Sequence, residues 1–193
     1  MPLLPKFRKD SLLRRARIHR SYLNEHPEEL EHNERLEFLG DAVLGFLIGE
    51  YLYRRYPEMN EGKLTLLRSA LVDEKQLAEF AIALSIGEMM LLGKGANLGG
   101  GQQNPKLLSS TFEAIIGAYF LDSGTEAVRA FVVTLFEPVA ERIVASQSDV
   151  NFKSLFQEWA LAQFGENPKY FTIDEFGPDH AKEFIVQVRV GGE

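Results

Sequence analysis

Apolar residues recur with helical spacing through most of the first 148 residues of the chain. Residues three, four and seven positions apart lie on one face of an α-helix, so this spacing predicts helices that bury one side in a shared core. Pro57 and Gly62 interrupt the pattern between its first two segments. The predicted helices cover Leu36–Tyr53, Leu64–Ile86, Leu108–Leu121 and Ala127–Ala145.

Residues 6–20 mix seven Lys and Arg residues with apolar positions. This mixture predicts an amphipathic first helix whose Leu12, Leu13 and Ala16 side chains point inward. An organelle transit peptide is the alternative interpretation of the same composition, because such peptides are also amphipathic and rich in arginine.

A glycine-rich segment, Gly93–Gly101, and Pro105 separate the second predicted helix from the third. Glycine and proline at this density predict a long flexible loop. The segment is not interpreted as a phosphate-binding loop, because it lacks the Gly-Lys-Ser/Thr ending and does not follow a strand. Gly124 follows the third helix at a position suited to a C-cap.

The hydrophobic pattern changes after the polar linker Ser146–Asp149. An amphipathic helix is predicted over Phe152–Phe164. Two strands follow at Tyr170–Ile173 and Glu183–Val190, the second with period-two alternation. The segment between them, Gly177–His180, predicts a turn. Gly-Gly after the second strand is typical of a hairpin, at the point where a third strand would begin.

The fold predicted from these patterns is mainly α, with an all-helical domain over residues 1–146 and a partial α+β unit over residues 149–193. The chain has 193 residues and no cysteine. Disulfides, thiolate metal sites and cysteine nucleophiles are therefore excluded. The apolar runs are too short to span a bilayer, and no signal-peptide core follows Met1. We therefore expect a cytoplasmic protein with no membrane partner.

The formal net charge is −7, but the charges are unevenly distributed. Basic residues crowd the first 20 positions, whereas carboxylates crowd residues 25–37. A cation site needs local carboxylates and phosphate contacts need local Lys and Arg, so one protein can carry both.

Three acids, Glu34, Glu37 and Asp41, lie within about 60° of one another when placed on a helix. Their neighbours are apolar almost all round, which predicts a buried helix. Carboxylates on a buried helix are costly unless a cation compensates them, and Arg35 or a metal ion could do so. The alternative is that these acids are solvated or serve as ion-pair partners.

The third predicted helix repeats this arrangement, because Glu113 is its sole acid among apolar residues. Ser110 lies one turn before it on the same face, and Gly117 lies one turn after it. A glycine at that position allows a neighbouring helix to approach closely. Two helices that display oxygen ligands predict a site for a hard cation such as Mg²⁺.

The segment Glu34–Leu44 resembles the signature of the ribonuclease III family. Further resemblances to family segments extend over nearly the whole chain, at His19–Glu25, Glu61–Val72 and Thr111–Asp122. The region from Asp149 onward resembles the family's double-stranded-RNA-binding domain, including Gln157–Trp159 and Gly177–His180.

The resemblance implies a dimeric endonuclease that processes ribosomal or messenger RNA. It would cleave double-stranded RNA with Mg²⁺, for which Mn²⁺ can substitute, and leave 5′-phosphate and 3′-hydroxyl ends. By position, it implies roles for four sets of residues. The catalytic residues are Asp41 and Glu113, the metal ligands are Glu37, Asp41, Ser110 and Glu113, the acids of the dimer valley are Glu34 and Glu61, and the RNA-binding residues are Gln157, Glu158 and His180. No histidine is needed as a ligand, and His19 is interpreted as a structural hydrogen-bonding residue.

Two departures from the family pattern define the alternatives. The family has an aspartate at the position of Ser110, and a serine hydroxyl is a weaker Mg²⁺ ligand and no carboxylate base. The alternative function is therefore a catalytically impaired dimeric protein that binds double-stranded RNA, and a third option is an unrelated helical bundle that binds metal. Residues 149–193 lack the expected third strand and last helix and carry four Lys or Arg against eight Asp or Glu, which predicts weak RNA binding by this part.

Overall fold

The computed structural model describes residues 3–147, 152–177 and 182–191. The chain divides into two compact units, residues 1–143 and residues 144–193. The helices are α1 Asp10–Arg17, α2 Arg20–Leu23, α3 Glu34–Arg55, α4 Glu61–Leu71, α5 Glu74–Ala83, α6 Ile86–Met89, α7 Lys94–Leu98, α8 Pro105–Ser123, α9 Thr125–Gln147 and α10 Phe152–Phe164. A 3₁₀ turn covers Gly101–Gln103, and two strands follow α10, β1 Lys169–Phe176 and β2 Glu183–Arg189.

Helix α8 lies at the centre of the first unit, where it packs against α1, α3 and α5. Its sequence is apolar on nearly every side, as expected for a helix surrounded by others. Phe112 of α8 meets Phe80 of α5 and Phe136 of α9, with ring centroids 5.9 Å and 6.5 Å away. These three rings are buried and form the middle of the core.

The continuous helical pattern predicted over Leu64–Ile86 is wrong in one respect, because the structure divides it into α4, α5 and the single turn α6. The break falls at Val72 and Asp73. The Asp73 side chain accepts a hydrogen bond from the Gln76 amide at 2.6 Å and so caps the start of α5. The apolar spacing continues across the break, since both helices face the same core.

The flexible loop predicted at Gly93–Gly101 is also wrong, because this segment forms α7 and leads directly into the 3₁₀ turn. Gly93 is buried, and its amide donates a 2.9 Å hydrogen bond to Ser21 Oγ. A Cβ at Gly93 would lie 2.5 Å from the Ser21 carbonyl oxygen. Gly93 therefore serves close packing against a distant part of the chain, which local composition does not reveal.

The predicted amphipathic first helix is confirmed as α1, whose Ala16 is fully buried. The segment before it is held by Asp122, near the end of α8. The Asp122 carboxylate accepts hydrogen bonds from the backbone amides of Arg8, at 3.0 Å, and Lys9, at 2.8 Å. These bonds lower the pKa of Asp122, because they favour the ionised carboxylate.

The second unit contains α10 and an antiparallel pair of strands, in which Lys169 lies opposite Arg189 and Phe176 lies opposite Glu183. The register shifts between Thr172 and Asp174. On α10, the Trp159 ring lies 5.4 Å from the rings of both Phe156 and Phe164. Trp159 remains half exposed, and much of the apolar surface of the described strands is also exposed.

The mainly α fold, with a small α+β unit after it, is therefore confirmed. The predicted helix Phe152–Phe164 has the bounds of α10. The first predicted strand is longer in the structure than in the sequence pattern, and the predicted turn extends beyond the described residues. Within the part of the chain that the structure describes, no helix is long and apolar enough to cross a membrane.

Candidate active site

Helix α3 begins at Glu34, directly after the buried N-cap residue Asn33. Glu37 lies one turn later and is half-buried, and Asp41 follows one further turn on and is exposed. Both carboxylates therefore sit on the first three turns of the helix, with part of their surface open to solvent. A site that must admit substrate needs such access.

The prediction that α3 is buried on almost every side is wrong. Its aromatic residues Phe38, Phe46 and Tyr53 are 79%, 61% and 73% exposed. They lie eight and seven residues apart, which places them along one side of the helix. We call Phe38, Phe46 and Tyr53 the aromatic stripe. Most of each of these side chains is open to solvent rather than packed against the rest of the first unit.

Glu113 projects from the middle of α8 and is half-buried among apolar residues. Burial, together with the nearby negative charges of Asp41 and Glu37, raises the pKa of Glu113 to about 7. Two helices that are far apart in sequence thus bring three of the predicted site residues into one electrostatic group. A like charge disfavours ionisation of its neighbour, which is the usual signature of carboxylates that share a site.

The approach of α3 to α8 depends on two glycines. A Cβ at Gly40 would overlap the carbonyl oxygen of Glu113, and a Cβ at Gly117 would overlap the carbonyl oxygen of Leu36. Each would also lie 3.0 Å from the amide nitrogen of the other glycine. The backbones are therefore in direct contact where Glu37, Asp41 and Glu113 project.

The predicted close approach at Gly117 is confirmed. The sequence pattern predicts no role for Gly40, although this glycine lies between Glu37 and Asp41 on the same helix. A glycine in the interior of a helix costs stability relative to alanine, so its position beside the acids was the available signal.

Ser110 lies one turn before Glu113 on α8 and is half-buried. Its neighbours Ser109 and Thr111 are buried, and the Thr111 hydroxyl lies 3.2 Å from Met90 Sδ. Among the described residues, the Ser110 hydroxyl has no hydrogen-bond partner. It is therefore available as a neutral oxygen beside the Glu113 carboxylate.

Glu34 does not join this group. Its carboxylate lies 3.8 Å from Arg20 Nη1 and 3.9 Å from His32 Nδ1, so it serves as an ion-pair partner on the surface. Glu61 is exposed at the first position of α4. His19 accepts a hydrogen bond from the Ser21 amide at its Nδ1 atom and caps α2, as expected of a structural residue.

The acids around Glu113 lack a protein cation. Within residues 3–147, 152–177 and 182–191, no Lys, Arg or His side chain forms an ion pair with Glu37, Asp41 or Glu113. In the same residues, no three His, Asp or Glu side chains are arranged so that they could hold a metal ion. The donor chemistry still fits Mg²⁺, which prefers oxygen ligands and keeps several waters in its shell. The proposed set of Glu37, Asp41, Ser110 and Glu113 stays a prediction.

The residues predicted to contact RNA lie in the second unit. Gln157 is half-buried on α10. The Glu158 side chain and His180 lie outside what the structure describes. Their roles therefore stay predictions as well.

Comparison with known proteins identifies two matching regions. Residues 9–139 match the model of the family described as Ribonuclease-III-like, and residues 152–193 match the double-stranded RNA binding motif. The chain is 61% identical to Ribonuclease 3 1 of a Nostoc species, over 96% of this chain and 82% of that protein. It is 47% identical to Ribonuclease 3 of Geobacillus kaustophilus, over 97% of this chain and 76% of that protein.

A similar solved structure is the nuclease domain of ribonuclease III from Campylobacter jejuni, described for flexibility in a region involved in dimer formation. It superposes with a TM-score of 0.64 at 40% identity, over 69% of this chain and 90% of that one.

Proposed function

The chain belongs to the ribonuclease III family and is an endoribonuclease, and we propose that it hydrolyses phosphodiester bonds of double-stranded RNA with Mg²⁺, leaving 5′-phosphate and 3′-hydroxyl ends. The observation that carries this proposal is the electrostatic coupling of Glu113 to Asp41 and Glu37 across the contact between α3 and α8. A group of carboxylates without a protein cation suits a divalent cation and a phosphate substrate.

We propose that Glu37, Asp41, Ser110 and Glu113 hold the cation. A bound divalent cation lowers the pKa of a water molecule and stabilises negative charge that develops on the leaving oxygen. Mn²⁺ can replace Mg²⁺ because both accept oxygen ligands in octahedral geometry. Asp41 and Glu113 are the proposed catalytic residues, and the glycine contact between their helices fixes the distance between them.

The site does not need a nucleophilic side chain, because a metal-bound water can be the nucleophile. Ser110 is not a candidate nucleophile, since no described histidine is paired with its hydroxyl to act as a base. The Asp41 side chain is exposed, so a phosphate group can reach the acids from solvent. The buried side of α8 excludes water behind Glu113.

We propose that the protein is a homodimer that pairs through the aromatic stripe of α3. Leu66 of α4 adds a further apolar side chain that is 69% exposed. Large exposed apolar surfaces on one side of a domain mark interaction sites. A two-fold dimer would place this side against its own copy. Glu34 and Glu61, both exposed, are the proposed acids of the valley between the two active centres.

The second unit is the proposed double-stranded-RNA-binding part, with the functional boundary near residues 146–149. Gln157, Glu158 and His180 are its proposed contacts. Residues 149–193 carry more acids than bases, so we expect this part to contribute little affinity by itself, since phosphate contacts dominate binding. We place the protein in the cytoplasm, in the processing of ribosomal and messenger RNA.

Ser110 favours a second candidate function, in which the same dimer binds double-stranded RNA but cleaves it poorly. A hydroxyl cannot replace the negative charge of the aspartate that the family has at this position. The three acids Glu37, Asp41 and Glu113 favour the endonuclease, whereas the neutral Ser110 hydroxyl favours the binding protein.

The two candidates are separated by incubating the purified chain with a long RNA duplex and Mg²⁺. The matched variants are Ser110→Asp, which restores the family's carboxylate, and Glu113→Gln, which removes the central acid and keeps its size. We expect cleavage by the wild-type chain, faster cleavage by Ser110→Asp and none by Glu113→Gln. Cleavage by Ser110→Asp but not by the wild-type chain would support the second candidate function, binding without efficient cleavage. Absence of cleavage by both the wild-type chain and Ser110→Asp would refute the enzymatic proposal.

A further inference from the structure

A cavity of about 520 Å³ lies between the second half of α3 and the first half of α9. This volume is in the range of small-molecule sites in proteins. Asp41 and Tyr51 are ten residues apart on α3, so the cavity lies roughly 15 Å along the helix from the candidate active site. Four lining residues come from α3 and three from α9: Glu50, Tyr51, Arg54, Arg55, Glu126, Arg129 and Val133.

Three guanidinium groups face two carboxylates around this cavity. Glu50, which is mostly buried, lies between Arg54, at 2.8 Å, and Arg129, with which it is also in contact. Arg129 also reaches Glu126 at 3.3 Å. These ion pairs hold Arg129 and Glu50 in place, so the lining is organised without a ligand.

The arginines keep donors that these ion pairs do not use. A guanidinium carries five N–H donors in a fixed plane. Arg54 makes a single contact with Glu50 and is 76% exposed at its side chain. Arg55 donates one hydrogen bond of 3.0 Å to Glu141, which does not line the cavity. Two arginines four and five residues from Glu50 therefore present free N–H groups beside one cavity.

Tyr51 also lines the cavity, and its hydroxyl lies just behind the accessible surface. Its hydroxyl oxygen is buried and has no hydrogen-bond partner among the described residues. A buried polar group without a partner is rare in folded proteins, because it loses its bonds to water and gains none. Burial and the nearby Glu137 raise the pKa of Tyr51 to about 12, so the hydroxyl keeps its proton at neutral pH.

We propose that this cavity is a binding site for a phosphate group, held by Arg54 and Arg55, with the Tyr51 hydroxyl as a further donor once its side chain turns toward the ligand. Arginine binds phosphate through paired N–H···O bonds, and Arg54 and Arg55 offer unused donors for them, while Glu50 and Glu126 are already paired with Arg129. A rotation of the Tyr51 side chain toward the bound phosphate would give its hydroxyl the partner that it lacks. The site is separate from the proposed active centre, whose acids repel an anion when no cation is bound.

Free phosphates and the 5′-phosphate end of an RNA strand share this chemistry. Isothermal titration calorimetry of the full chain in metal-free buffer distinguishes them with three probes: pyrophosphate, a 5′-phosphorylated trinucleotide and the same trinucleotide with a 5′-hydroxyl. The absence of metal prevents the active-site acids from recruiting phosphate through a cation. We expect saturable binding of one or both phosphorylated probes, with one site per chain, and none of the hydroxyl form.

Three variants test which residues are responsible. Arg54→Gln should weaken binding about tenfold or more, as expected for loss of a charge-assisted contact. Tyr51→Phe removes only the hydroxyl and should weaken binding several-fold. Because that hydroxyl has no partner, the variant should not lower the melting temperature. Arg142→Gln makes the same charge change at an exposed position of α9 outside the cavity and should bind like the wild-type chain.

Two results would overturn the proposal. One is a wild-type chain that binds neither phosphorylated probe at millimolar concentration. The other is binding that does not depend on the cavity residues. In that case Arg54→Gln and Tyr51→Phe would leave the affinity unchanged, or Arg142→Gln would weaken it as much as Arg54→Gln does. If only pyrophosphate binds, the source is a free phosphate compound, and if the trinucleotide binds, the source includes RNA ends.

Discussion

Gly40 and Gly117 lie opposite each other where α3 crosses α8, and neither position has room for a Cβ atom. The added atom at Gly40 would overlap the Glu113 carbonyl oxygen, so the glycine pair directly sets the spacing of the candidate active site. Packing and chemistry depend on the same two residues, because Glu37 and Asp41 flank Gly40 and Glu113 precedes Gly117 by one turn.

We expect Gly117→Ala to destabilise the protein by about 1–3 kcal/mol, the usual cost of forcing an extra methyl group into a packed core. The gain in helix propensity from alanine, up to about 1 kcal/mol, offsets part of this cost. Thermal unfolding followed by circular dichroism measures the effect. RNA cleavage should also fall at temperatures where the variant is folded, because the separation of Glu37 and Asp41 from Glu113 increases.

Gly95→Ala is the matched control for this prediction. Gly95 lies in the short helix α7, and a Cβ there has no neighbouring atom within 4 Å. This variant should be as stable as the wild-type chain or slightly more so. Equal stability of Gly117→Ala and Gly95→Ala would show that the helix contact is looser than described.

One glycine of the pair could be predicted from the sequence and the other could not. The sequence predicts a close approach at Gly117, because it lies one turn from the only acid of the predicted helix Leu108–Leu121. Its partner Gly40 could not be paired with it, since the contact joins residues 77 positions apart and depends on the crossing of two helices. The family resemblance, confirmed by the comparisons, removes the alternative of an unrelated helical bundle.

Local sequence patterns predict whether a segment is a helix or a strand better than they predict which of its faces are buried. The helical spacing of α3 was interpreted as burial, but Phe38 and Phe46 are exposed, because periodicity cannot distinguish a core from a surface that awaits a partner. The break before α5 was missed although Asp73 is itself a good N-cap residue. Arg54 and Tyr51 carried no motif, since their cavity forms only when α9 packs beside α3.

Asp122→Asn should lower the melting temperature at neutral pH, because it weakens the hydrogen bonds that hold the Arg8 and Lys9 amides. The pKa of Asp122 is lowered in the folded protein. Its contribution to stability is therefore present above the unfolded-state pKa and is lost as the pH falls through the lower, folded-state value. Melting temperatures of both forms between pH 2 and pH 7 should converge at the acidic end.

Asp10→Asn removes the same charge at the start of α1, where the structure records no hydrogen bond to the Asp10 side chain among the described residues. It should have a smaller effect than Asp122→Asn at neutral pH. If the two variants melt together throughout the range, the anchoring role of Asp122 is refuted.

Glu113 should have the opposite pH dependence in metal-free protein. Its pKa rises from an ordinary value of 4.5 to about 7 on folding, so the folded state binds an extra proton between these values. The resulting stabilisation is complete below about 4.5 and is lost as the pH rises through about 7. Glu113→Gln should be more stable than the wild-type chain above pH 7 and should remove this part of the pH dependence.

The measurement is urea unfolding in the presence of EDTA at several pH values from 4 to 8. Glu79→Gln, which changes an exposed acid of α5, is the charge-matched control and should keep the wild-type slope. Mg²⁺ should reduce the pH dependence of the wild-type chain, because a cation favours the ionised carboxylates. A Glu113→Gln protein with an unchanged slope would argue against coupling between the acids of α3 and α8.

The aromatic stripe predicts how the oligomeric state responds to mutation. Phe46→Ser removes an aromatic side chain of α3 that is 61% exposed, so it should shift the protein from dimer to monomer while the fold is kept. Sedimentation equilibrium at micromolar concentration measures the mass. Ile82→Ser changes a comparably exposed apolar residue of α5, 64% against 61%, and should leave the dimer intact. A wild-type chain that sediments as a monomer would refute the homodimer, and a Phe46→Ser dimer would place the contact between subunits elsewhere.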